Sequence, residues 1–184
     1  MSLQALLSSR KKDIIKKWQE RIFHLYPADS KKFLTSETDQ FANPVGYSIK
    51  EKTESLFNAL VDEDEFNQKK VESILDEVIR IRAIQDFSPS QAVTFIYLLK
   101  DVITDELRNS SEPVKDMFPD VVSFYDKIDR TALTAFDIYS KCREKLFEIK
   151  AESAKNQVSG LLRKSDLISE TPEWNPAENN IQSD

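Results

Sequence analysis

A chain of 184 residues, 40% hydrophobic and 32% charged, holds enough apolar material for one buried core and too little for two of comfortable size. Its net charge of −6 repels a phosphate backbone, which argues against nucleic acid as a partner, and no apolar run reaches the roughly 18 to 20 residues of a membrane span. A single cysteine excludes an intrachain disulfide and a thiolate cluster for zinc or iron-sulfur, and two glycines in the whole chain disfavour a multistranded fold with its glycine-rich turns.

The first segment, Leu3 to Tyr26, places Leu7, Ile14, Trp18, Ile22 and Leu25 at helical spacing and ends at Pro27. Its basic run, Arg10, Lys11, Lys12, Lys16 and Lys17, reads as a solvated face. A short polar helix is expected after Asp29 or Ser30, followed by an ordered turn at Phe41 to Gly46 marked by Pro44 and Gly46. Ser48-Ile49-Lys50-Glu51 fits a capping box opening a helix to about Val61. The acidic stretch Asp62 to Glu65 reads as the charge-favoured start of the next helix, Phe66 to Ile84. Ser88-Pro89-Ser90-Gln91 is a second capping box, with proline at the first helical position, and opens a helix apolar around much of its circumference.

A long last helix is predicted from Pro119. Its apolar positions Val121, Tyr125, Ile128, Ala132, Ala135, Tyr139, Cys142, Leu146 and Ile149 repeat every 3.5 residues, the period of a coiled-coil seam. Such a stripe serves equally for pairing with a second copy and for burial against the chain's own helices. Tyr125, Ile128, Ala132, Ala135, Tyr139, Cys142 and Leu146 are the candidate dimer or interaction residues. The expected organisation is one all-α helical bundle over residues 1–164, of about five to seven helices and open to a globin-like arrangement. A polar stretch over 165–184 reads as a disordered tail.

Catalytic chemistry finds little purchase. His24 lies about 120 degrees from the centre of its helix's apolar stripe, which turns it toward a boundary or solvent and away from any haem pocket. Cys142 on the seam reads as a packing thiol, and no phosphate-cradling glycine loop is present. No catalytic residue, metal ligand or cofactor is therefore assigned, and with no secretion signal at the N-terminus a cytoplasmic, non-enzymatic protein is expected.

The exception is Arg80-Ile81-Arg82-Ala83-Ile84-Gln85-Asp86. On a helical wheel Arg82 falls at about 20 degrees, along the centre of the stripe formed by Val71, Leu75 and Val78, with Gln85 and Asp86 flanking it. Arg80 faces away and has Asp76 at i−4 for a surface ion pair. A cation on a core face is costly unless acceptors satisfy it. Three readings stay open: a buried bridge to Asp86 and helix-end carbonyls, a polar pocket for a small anionic ligand, or a partner contact. Arg82, Gln85, Asp86 and Asn43 are the candidate ligand-binding residues of the second.

The stretches Phe41-Ala42-Asn43-Pro44-Val45-Gly46 and Arg80 to Val93, with Phe95-Ile96, Leu98 and Lys100, resemble the N-terminal domain of RsbRD-type co-antagonists of the kinase RsbT. The resemblance covers about Leu6 to Leu107. It implies a sensory input domain of the stressosome type, related in role to haem-free, globin-like dimeric domains whose long last helix passes a signal to a STAS output domain. Here only a polar stretch follows the long helix, so the expectation is a stand-alone regulatory module, homodimeric and binding a protein partner, without direct antagonism of a kinase. The alternative is an accessory protein of a redox or respiratory complex that docks through Trp174 and the tail.

Overall fold

The computed structural model describes residues 2–36, 40–62, 65–85, 87–110 and 114–164. Its elements are α1 (Leu3–Ser9), α2 (Lys11–Phe23), α3 (Ala28–Ser36), α4 (Pro44–Asp62), α5 (Gln68–Ile84), α6 (Pro89–Arg108) and α7 (Val114–Lys164). The chain is all-α, with no strand among the described residues and no described helix long and apolar enough to cross a membrane. The tail, with Trp174, lies outside the described residues.

Two compact units divide the chain, Met1–Glu144 and Lys145–Asp184. In the first, α2 packs against α4 and α6, α5 against α4 and α6, and α1 and α3 both against α2 and α4. Trp18 of α2 is fully buried and its indole N–H donates to the Phe95 carbonyl of α6 at 2.7 Å, so the largest core side chain also satisfies its polar atom. Leu56 and Phe57 of α4, Leu75 and Ile79 of α5, Ile96 and Leu99 of α6 and Ile128 and Ala135 of α7 complete one continuous core. Within the second unit, residues 145–164 are helical, with Ile149 and Val158 exposed and Lys145 paired to Glu148 at 2.9 Å.

Helix starts correct four sequence expectations. The first segment breaks at Arg10, whose backbone (φ −106°, ψ 12°) separates α1 from α2. α4 begins at Pro44 rather than Ser48: the Asn43 carboxamide oxygen accepts from Gly46 N–H at 2.9 Å, and its carbonyl from Tyr47 N–H. Asparagine before proline supplies both the cap and the preset φ of the first helical residue, so Ser48 falls inside the helix. α5 starts at Gln68 under an Asn67 cap that accepts from Lys70 N–H, so acidic residues Asp62 to Glu65 precede it. The Ser88 capping box forms as expected, with Ser88 Oγ accepting from Gln91 N–H and Gln91 Oε1 from Ser88 N–H. α7 begins at Val114 and carries Pro119 inside its second turn.

Glu106 of α6 is a buried charge, 2% exposed. Arg10 donates to it at 2.8 Å and Lys17 at 2.5 Å, tying the start of α2 to the end of α6. Burial pushes its carboxyl up, but the hydrogen bonds and charges of Lys17 and Arg10 outweigh this and hold it below the usual carboxylate range.

Candidate functional site

α5 ends at Ile84, and Gln85 caps it through its N–H to the Ile81 carbonyl. The Phe87 N–H returns to the Arg82 carbonyl at 3.4 Å, and Ser88 then starts α6. This turn carries the Phe87 ring to 4.9 Å from the Arg82 guanidinium carbon. Phe95 of α6 stands at 4.7 Å and Tyr26, after α2, at 5.5 Å. Tyr26 and Phe87 meet edge to face with centroids 5.5 Å apart.

Arg82 is 0% exposed inside this cage. Its Nη1 donates to the Gln91 carbonyl at 3.2 Å, while Nε and Nη2 find no acceptor. Burial pulls its pKa below the ordinary arginine value, with Tyr26 acting in the opposite sense. Burial likewise raises the Tyr26 hydroxyl, and its oxygen is a second buried group without a partner. Aromatic faces attract the cation but offer no lone pairs, so they only partly replace the water it has lost.

Beside the cage is a cavity of about 970 Å3. Tyr26 and Phe87 wall it together with Leu25, Phe33, Leu34 and Val45, and Asn43, Gln85 and Gln91 add polar atoms. Asp29 and Ser30, both exposed in the first turn of α3, also border it. Mostly apolar walls with a few convergent polar groups are the ordinary composition of a small-molecule site.

The model of the RsbT co-antagonist protein rsbRD N-terminal domain matches residues 12–153. The chain belongs to this family. The RsbRD N-terminal domain is a regulatory input domain, so the chain's broad class is regulation. A protein of unassigned function from Archaeoglobus fulgidus is 24% identical over 160 residues, 86% of this chain and 94% of its own length. No solved structure matches.

Of the four residues singled out for a ligand in this RsbRD domain, Asn43 and Gln85 line the cavity and Arg82 lies behind the two rings that wall it. Asp86 lies outside the described residues. Both polar atoms of Asn43 are engaged in structure, Oδ1 with Gly46 N–H and Nδ2 donating to the Leu34 carbonyl at 2.9 Å. Sequence reasoning missed Tyr26 and Gln91. Tyr26 looked like the end of an apolar stripe and Gln91 like a cap, and only the packing of α2 against α6 brings them together.

The α7 seam is used inside the RsbRD domain itself. Ile128, Ala132, Ala135 and Tyr139 are at most 4% exposed and belong to the core. Tyr125 is half-buried, donating to the Lys100 carbonyl at 3.2 Å and sharing a hydrogen bond with Thr104 at 2.6 Å. Cys142 and Leu146 are half-buried, and burial raises the Cys142 thiol. The exposed apolar residues of the helix in this unit, Phe118, Val122, Leu133 and Phe136, fall within about 60 degrees of one another on a wheel. They form a second stripe, facing solvent.

His24 is exposed, its Nδ1 2.6 Å from the Glu20 carbonyl and its Nε2 2.7 Å from Lys31 Nζ. Arg80 pairs with Asp76 at 2.7 Å on the surface, the expected i−4 pair. Among the described residues no group of three or more His, Cys, Asp or Glu side chains is arranged to hold a metal ion.

Proposed function

We propose that this domain is a non-enzymatic, cytoplasmic regulatory module that reads a small anionic ligand at the Arg82 cavity and answers through α7 to a protein partner or a second copy of itself. The observation that carries the reading is a pair of hydrogen bonds. Tyr139 of α7 donates its hydroxyl to the carbonyl of Phe87, and Arg143 Nη1 donates to the carbonyl of Ala83 at 3.1 Å. The backbone segment that cages Arg82 and walls the cavity is therefore the segment held by α7. A ligand that displaces Phe87 acts directly on the helix, which is a two-site coupling through one packed element.

The output surface on this reading is the exposed stripe Phe118, Val122, Leu133 and Phe136. Aligned apolar side chains of this size are the usual mark of a protein contact, whereas monomer surfaces scatter them singly. A self-complementary contact between two copies is the simplest use of such a stripe. Light scattering of wild type and Leu133→Glu tests it. The expected result is a wild-type dimer converted to a monomer by a substitution that changes stability by no more than about 0.5 kcal/mol, because Leu133 is 65% exposed. A wild type that stays monomeric at high concentration, and whose capture of a partner is indifferent to Leu133→Glu, contradicts this output surface.

A further inference from the structure

We infer that the cavity takes a monocarboxylate with an apolar body, held by the free edge of Arg82 and the Tyr26 hydroxyl. The inference rests on the reading of this cavity as a ligand site and adds the class of molecule.

Arg82 Nη1 is spent on the Gln91 carbonyl, and the two guanidinium atoms left without an acceptor are Nε and Nη2. In a planar guanidinium these two present parallel N–H bonds along one edge, the fork that matches the two oxygens of a carboxylate. The orphaned atoms are thus one complete bidentate donor pair. Tyr26, 8% exposed, supplies a third orphaned polar atom from a residue that both stacks on Arg82 and lines the cavity. Leaving such donors unpaired in a dry site is destabilising, and an acceptor that engages all three relieves it.

Charge sets the valence. Among the described residues no lysine or arginine lines the cavity, Arg82 standing behind the Tyr26 and Phe87 rings as the one cation next to it, and Asp29 borders it. One buried cation beside one exposed carboxylate suits a single negative charge and disfavours a phosphate or sulfate dianion, which calls for several cationic or backbone donors. The apolar part of the wall includes Leu25, Phe33, Leu34, Val45 and Phe87, which gives an aliphatic or aromatic body a surface to displace water from.

The test is calorimetric titration of the full chain with hexanoate and 3-phenylpropionate, against hexanol, hexylamine, inorganic phosphate and sulfate. The carboxylates are expected to bind at one site per chain, at least tenfold tighter than hexanol, with no detectable binding of the amine. Arg82→Lys keeps the charge but loses the fork and should bind at least tenfold more weakly. Tyr26→Phe removes only the hydroxyl, so it should fold as wild type by circular dichroism while binding several-fold more weakly. Phosphate or sulfate binding tighter than either carboxylate, and lost in Arg82→Lys, would overturn the carboxylate assignment and leave the anion-reading cavity standing. Hexanol binding as tightly as hexanoate would overturn it too, by showing that Arg82 takes no part. A folded wild type that binds none of the anions defeats the ligand reading itself.

Discussion

Tyr139 of α7 donates its hydroxyl to the carbonyl of Phe87, the residue whose ring stacks 4.9 Å from the Arg82 guanidinium. One hydrogen bond therefore joins the cage of the buried cation to the longest helix of the protein. Tyr139→Phe deletes it while keeping the ring, at a cost of about 1 kcal/mol, the net contribution of a typical hydrogen bond. The fold and the affinity for hexanoate are expected to persist. What should weaken is the ligand-induced change in amide exchange over residues 114–144, since only the Arg143–Ala83 hydrogen bond then remains, and exchange mass spectrometry that finds the response undiminished in Tyr139→Phe would rule out this route.

Ser48 Oγ is buried, 2% exposed, and has no hydrogen-bond partner. Ser48→Ala removes an unsatisfied hydroxyl and improves helix propensity inside α4. It should stabilise the domain by about 1 kcal/mol. A urea denaturation midpoint below that of wild type would be the contrary result.

Ser48 also marks where sequence reasoning reached its limit. Ser48-Ile49-Lys50-Glu51 and Asn43-Pro44 are both legitimate helix starts when read locally, and the choice falls to Asn43 because its Nδ2 reaches the Leu34 carbonyl of α3, a contact no local pattern contains. Arg82 was legible for the opposite reason: its oddity is its register on its own helix, and 0% exposure agrees with the wheel. The α7 stripe was legible as apolar, but a 3.5-residue period does not say whose side chains cover it, and Tyr139 turned inward to Phe87. The Arg82 cage needed three separate elements to converge, so Tyr26 could not be read from the chain.

Gly46 carries a packing argument with an unusual sign. Alanine in a helix normally stabilises relative to glycine by about 1 kcal/mol. Here a Cβ would stand 2.3 Å from Asn43 Nδ2 and 2.6 Å from the Leu34 carbonyl oxygen, which is backbone and cannot swing aside. Gly46→Ala should therefore cost about 1 to 3 kcal/mol in chemical denaturation. Gly160→Ala, where nothing lies within 4 Å, should raise helicity by circular dichroism with no such loss. Equal behaviour of the two variants would show that the α3–α4 approach is looser than described.

Glu106 predicts a pH dependence. Its pKa is depressed in the folded state below the ordinary 4.5, so the stabilisation from Arg10 and Lys17 is complete above that value and drains away as pH falls through the lowered one. Glu106→Gln should flatten the acid limb of a stability–pH curve. At neutral pH it should cost about 1 to 2 kcal/mol, below the 3 to 5 of a fully buried pair, because both cations can turn to solvent. An acid limb of unchanged slope in Glu106→Gln would assign the loss to other carboxylates.

Arg82 waits, buried, for an anion's two oxygens, and its Nε–H resonance reports most directly on their arrival. In a 15N-labelled protein, assigned by its loss in Arg82→Lys, that signal should move downfield on titration with hexanoate and saturate together with shifts at the Phe87 and Tyr139 amides, as a charge-assisted hydrogen bond forms. An Nε–H signal that stays in place at saturating hexanoate, phosphate and sulfate alike would contradict the account.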